Sequence, residues 1–241
     1  MPQLVVENVT KTYWIDGVSH NAVNDATLSM EKGEYVSIVG HSGSGKTTLL
    51  SIIGGLTKPA SGKVLFEGTD ILTLDSDRLS EYRAMKIGFI FQMATLMPML
   101  TVRENLLLPV MFDAVTRPQA EVLHLASELL DRVGLGNKAQ AYPYQLSGGQ
   151  QRRVAIARAF MNEPALILAD EPTGDLDEET EAAMMQFFES MNREKGTTFI
   201  IVTHSTELSR QTERQLRMHN GILLEVRTNP RNGNSLMRGT S

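Results

Sequence analysis

The 241-residue sequence contains no cysteine, which excludes disulfides, thiolate metal sites and a cysteine nucleophile. It has no apolar run approaching the ~18 residues of a membrane span. Its opening, MPQLVVENVTK, lacks the basic-then-apolar order of a secretory leader. A basic surplus is missing too: 23 Lys and Arg against 28 Asp and Glu leave a net charge of −5, so nucleic acid is not an expected partner. His20, His41, His124 and His219 show no metal-ligand spacing. There is no internal repeat, no low-complexity block and no Ser–His–Asp arrangement. These absences point to a cytoplasmic protein that reaches a membrane only through other subunits.

What is present suits a globular fold, with 41% hydrophobic and 21% charged residues. Short apolar runs alternate with amphipathic stretches, the pattern of an α/β domain with a largely parallel sheet. Strands are expected at residues 4–9, 26–30, 34–39, 63–67, 87–91, 165–169 and 198–202. The first two suggest an N-terminal antiparallel β region. Helices are expected at 46–53, 102–108, 119–133 and 178–194. A hairpin at 216–218 and 222–226 turns through His219-Asn220-Gly221. Between residues 93 and 150 prolines punctuate helical segments and no strand is evident, which reads as a helical subdomain inserted into an α/β core of 1–92 and 151–227. Residues 228–241 shift to Asn, Gly, Ser and Arg and read as a loose tail.

Three motifs carry chemistry. Gly40-His41-Ser42-Gly43-Ser44-Gly45-Lys46-Thr47 matches G-x-x-x-x-G-K-[ST] between an expected strand and an expected helix. Its glycines let successive amides converge on phosphates, and the helix behind it, with Thr47 and Thr48 in its first turn, adds a positive dipole end. Lys46 supplies a cation for the β- and γ-phosphates, and the Thr47 hydroxyl suits Mg²⁺. Leu166-Ile167-Leu168-Ala169-Asp170-Glu171 is a strand ending in carboxylates. Asp170 would hold Mg²⁺ and Glu171 would polarise an attacking water. Leu146-Ser147-Gly148-Gly149-Gln150 precedes a strong helix and forms a second anion-binding helix start. One nucleotide has one triphosphate, so two such starts in one chain need an explanation.

The sequence resembles the ATP-binding cassette (ABC) ATPases over about residues 3–226, and LSGGQ is that family's signature motif. The resemblance implies a P-loop nucleotidase core and Mg²⁺-dependent ATP hydrolysis. It also implies a head-to-tail homodimer in which each chain's Ser147, Gly148, Gly149 and Gln150 complete the partner's ATP site. By the same resemblance Tyr13 matches the adenine-stacking aromatic, with Trp14 a neighbouring alternative. Gln92 matches the glutamine that touches Mg²⁺ and water. Asp177, in Thr173-Gly174-Asp175-Leu176-Asp177, matches the segment that crosses to the opposite site, and His204 matches the γ-phosphate-sensing histidine. The stretches QMATLMPMLT and LADEPTG are similar to those of the lipoprotein-releasing and macrolide-exporting branch. That branch implies integral membrane permease subunits and a peripheral position on the inner face of the membrane. A regulatory ATPase of the cell-division type is the alternative. A DNA-repair ATPase would need a long coiled coil between the motifs, and a nucleotide kinase would leave LSGGQ without a role.

Overall fold

The structure, a computed structural model, describes residues 1–112 and 117–228. Two long antiparallel strands open the chain, β1 (Leu4–Ile15) and β2 (Val18–Met30), turning at Asp16 and Gly17. They extend well beyond residues 4–9 and 26–30. The first residues of β2, Val18 to Asn21, are exposed on every side chain, so no apolar alternation marks them. Next come β3 (Tyr35–Val39), buried at all five positions, and α1 (Lys46–Ile53). β4 (Ser61–Phe66) and the short β5 (Thr69–Asp70) follow.

α2 (Ser76–Lys86) is a helix that the apolar pattern does not announce, because Tyr82 is its one buried residue. A cap defines it instead: the Asp75 carboxylate accepts the Arg78 N–H at 2.9 Å. The chain continues through β6 (Ile87–Ile90), α3 (Val102–Leu107), α4 (Gln119–Arg132) and α5 (Gly148–Arg158). It ends with β7 (Leu166–Asp170), α6 (Glu178–Lys195), β8 (Thr198–Thr203), α7 (Thr206–Arg210), β9 (Arg214–His219) and β10 (Ile222–Thr228). β10 therefore takes in Thr228, where the tail was expected to begin, and residues 229–241 lie outside the described residues.

The strands form two sheets, one ordered β2-β1-β4-β5 and the other β10-β9-β3-β8-β7-β6. In the larger sheet β9, β3, β8, β7 and β6 run parallel and β10 joins antiparallel to β9. β3, β8, β7 and β6 are buried on both faces, so their successive side chains enter opposite cores, whereas β9 and β10 are partly exposed. Val36, Ile38, Leu168 and Ile200 pack with α1 and the antiparallel sheet. Tyr35, Ile167, Phe199 and Ile201 pack with α3, α4, α5 and α6.

Among the described residues no strand interrupts the chain between β6 and β7. The loop ahead of α3 is pinned by Asn105, which is fully buried. Its amide donates to Met97 O at 3.1 Å, Leu100 O at 3.0 Å and Thr101 O at 3.0 Å, and its carbonyl accepts the Met97 N–H at 2.7 Å.

Candidate active site

Strand direction explains why residues far apart in sequence meet. In the parallel register Val39 sits beside Thr203, and Asp170 beside Val202. The loops that leave β3, β7, β8 and β6 therefore emerge at one end of the sheet, the end where ligands bind in such folds. There a cleft of about 430 Å³ is lined by Gly40, the run from Ser42 through Thr48, Gln92, Asp170, Glu171, His204 and Ala22. That volume is within the range of small-molecule sites.

The phosphate loop is packed tightly at its ends. A Cβ on Gly40 would lie 2.3 Å from Met218 O, and one on Gly45 would lie 1.9 Å from Ala22 O. Gly45 has φ +104 and forms the N-cap of α1, a conformation that strongly favours glycine. Lys46 is largely buried, and its Nζ donates to Gly40 O at 2.7 Å and His41 O at 2.9 Å. The Thr47 hydroxyl donates to Asp170 Oδ2 at 2.7 Å. Burial pushes the Asp170 carboxyl above its ordinary value, and the Thr47 hydrogen bond opposes that rise.

Glu171 adopts φ +46, a left-handed conformation for a non-glycine residue, and its N–H donates to Val202 O at 2.9 Å. Such a residue persists only where its surroundings over-determine it. Its carboxylate is held on both oxygens. The Thr203 hydroxyl donates to Oε2 at 3.1 Å, and His204 Nδ1 lies 2.9 Å from Oε1. The His204 ring itself is 75% exposed, so it reaches from the sheet end into solvent. The arrangement sets an anchored carboxylate and an imidazole beside a phosphate-binding loop and an oxygen-donor pair.

Other expected residues lie elsewhere. Tyr13 does not line the cleft; it is 42% exposed on the β1–β2 hairpin, with Lys11 Nζ 5.2 Å from its ring centroid. His41 faces a neighbouring cleft of about 330 Å³ together with His204, Arg217 and His219. Ser147 caps α5, accepting the Gln150 N–H at 3.2 Å, while the Gln150 side chain accepts the Ser147 N–H at 3.0 Å. Gly148 begins that helix. A Cβ on Gly149 would come within 3.3 Å of Leu176. Asp177 is the N-cap of α6. Thr203 and Arg152 escaped the sequence reading. Thr203 gave no local signal beyond standing before His204. Arg152 did give one, as an arginine in helical phase with buried Ala155 and Ile156.

A phosphate-binding loop at the end of a parallel sheet, an acidic strand end and a carboxylate anchored on both oxygens define a P-loop nucleotidase. Residues 23–174 match the family model described as ABC transporter. The chain is 44% identical over 220 residues to the lipoprotein-releasing system ATP-binding protein LolD of Shewanella oneidensis, covering 91% of this chain and 95% of that one. It is 43% identical over 199 residues to the macrolide export ATP-binding/permease protein MacB of Rhodopirellula baltica, covering 83% of this chain but 29% of that longer protein. A solved dimeric ATP-binding cassette in a post-hydrolysis state, bound to ADP and Pi, superposes with a TM-score of 0.87 at 41% identity, covering 93% of this chain and 99% of that one.

The chain belongs to the ABC transporter family. It is an ATP-binding and ATP-hydrolysing cassette subunit of that family, with the α/β P-loop fold its solved relatives share.

Proposed function

We propose that this chain powers a membrane complex of the lipoprotein-releasing or efflux type, as a head-to-tail dimer closed around two ATP and Mg²⁺. The observation that carries the chemistry is the Glu171 carboxylate, anchored by Thr203 and His204 beside the phosphate loop. The residues suit the metal: Thr47 and Asp170 bring a hydroxyl and a carboxylate, the hard oxygen donors Mg²⁺ takes, to 2.7 Å of each other. Gln92 lines the same cleft as a third oxygen donor. When bound, Mg²⁺ supplies neutralisation of the charge on the transferred phosphoryl.

In this reading the amides of residues 40–48 and Lys46 hold the triphosphate, and Tyr13 stacks on the adenine. Glu171 orients and deprotonates water, and His204 keeps water and γ-phosphate in line. The caps of α5 and α6, with Ser147, Gly148, Gly149, Gln150 and Asp177, act across the dimer on the partner's nucleotide.

Residues 93–150 form the helical subdomain of this reading, and Gln92 stands at its start. That region exposes Met93 (77%), Met99 (86%) and Met111 (75%). Flexible, polarizable side chains of this kind suit a surface that docks integral membrane subunits. No helix among the described residues is long and apolar enough to cross a membrane, so such subunits would hold the chain peripherally on the inner face. The similarity to LolD and MacB supports the release or efflux output.

The test is Glu171→Gln, which keeps shape and removes the basic oxygen. ATP binding should stay within about threefold of wild type while steady-state turnover falls at least about a hundredfold. Near-normal hydrolysis would remove Glu171 as the base.

A further inference from the structure

Arg152 lies on α5, two residues beyond the LSGGQ pentapeptide, and is 2% exposed. It shares a helix face with buried Ala155 and Ile156, a place where a guanidinium is costly unless fully bonded. Its partners are main-chain carbonyls from two other segments. Nε donates to Pro172 O at 2.9 Å, Nη1 donates to Phe91 O at 2.5 Å and to Gln92 O, and Nη2 donates to Glu171 O. Burial holds the group below its ordinary pKa, opposed by the charges of Asp175, Asp170 and Glu171.

The carbonyls it gathers belong to two residues of the cleft, Gln92 and Glu171, and to the neighbour of each. Glu171 is also the residue strained to φ +46. A planar, rigid fork fixes the direction of each bond it donates, unlike a rotating ammonium. The same helix holds the next part of the Gln92 segment too, since Arg158 Nη1 donates to Thr95 O at 2.9 Å. Thus one helix, whose N-cap is Ser147, is hydrogen-bonded to the backbone of Gln92 and Glu171.

We propose that Arg152 is a positioning residue for hydrolysis: it clasps Gln92 and Glu171 to the signature helix, so that movement of α5 resets both within the cleft of its own chain. The proposal rests on the reading above that Gln92 and Glu171 serve the reaction. It adds a route from the Ser-Gly-Gly cap, which serves the partner's nucleotide, to the chain's own hydrolytic groups. Only a group with two or more well-directed donors links both segments at once.

The test compares R152M and R152K with the wild-type chain, reading kcat, ATP affinity from fluorescent-nucleotide binding, and thermal midpoint. R152M should bind ATP within about threefold of wild type while kcat falls at least about tenfold, a split that a loosened fold would not produce. R152K should recover part of the rate, because an ammonium reaches some of these carbonyls but cannot span them all. A kcat for R152M within about twofold of wild type, or a loss of ATP affinity matching the loss of rate, overturns the proposal. If R152M fails to fold, R152K decides alone, and a rate within about twofold of wild type overturns the clasp. Failure of the Glu171 assignment has a different signature: E171Q would turn over normally, while the R152M and R152K comparison would still stand as the test of the clasp.

Discussion

Gly45→Ala tests the link between the antiparallel sheet and the phosphate loop, with Gly43→Ala as its control. Both glycines have positive φ, +104 at Gly45 and +76 at Gly43. Each substitution therefore carries a left-handed penalty of about 1–2 kcal/mol. The surroundings differ sharply. A Cβ at Gly43 meets nothing within 4 Å, whereas one at Gly45 would stand 1.9 Å from Ala22 O and 2.9 Å from Met218 Cε. The Met218 contact is the end of a flexible side chain and yields readily. The Ala22 oxygen is strand backbone, so the loop or β2 must move, at a further cost of about 1–3 kcal/mol.

Urea unfolding of the nucleotide-free variants should place G45A about 2 kcal/mol below G43A with an unchanged m-value. On heating, that gap corresponds to about 4–8 °C in midpoint for a chain of this size. G45A should also lose at least about tenfold in ATP affinity, because the displaced residue is the N-cap whose helix presents its amides to phosphate. Equal stability of the two variants to within about 0.5 kcal/mol would refute the close approach of Ala22 as the reason for glycine at position 45.

Ser147→Ala removes the acceptor of the Gln150 N–H and should cost about 1 kcal/mol of stability. In an E171Q background it should abolish ATP-dependent dimers in light scattering, and persistence of the dimer would count against the proposed trans role. The Asp177 carboxyl is held below its ordinary value, first by the Thr180 backbone N–H and then by the Thr180 hydroxyl. A depressed pKa contributes stability that is complete above the ordinary carboxylate value and is lost as pH falls through the folded value. Asp177→Ala should therefore lower the melting midpoint at neutral pH, and the gap to wild type should close in acid; a gap that stays constant with pH would refute the cap. Asn105→Ala strands the Met97 N–H and the Leu100 carbonyl and should cost about 2–3 kcal/mol, while Met97 O and Thr101 O keep the backbone N–H groups of Leu100 and Asn105. Hydrogen exchange across residues 97–101 should rise with it, and unchanged protection would show that the loop holds itself.

Some features were legible in the chain because their physics is local. The phosphate loop and the LSGGQ turn each need only a few consecutive residues, whose amides and helix dipole form the proposed anion sites on the spot. The buried strands β3, β7 and β8 were equally plain, since their apolar runs can sit only inside a covered sheet. α2 was not legible, because a cap and one buried tyrosine hold it with no apolar stripe. The outer half of the β1–β2 hairpin was missed for a related reason: backbone pairing forms it, and its exposed side chains carry no period.

Taken alone, then, the sequence determined the class of chemistry, through contiguous stretches that make phosphate-binding backbone wherever they fold. Only the tertiary structure decided which groups act on one another. Thr47 reaches Asp170 across 123 positions, His204 reaches Glu171 across 33, and Arg152 reaches Gln92 across 60. Those distances close because parallel strands deliver their exits to one edge, and strand order is set by how the two hydrophobic faces of the sheet are covered rather than by any short run of residues.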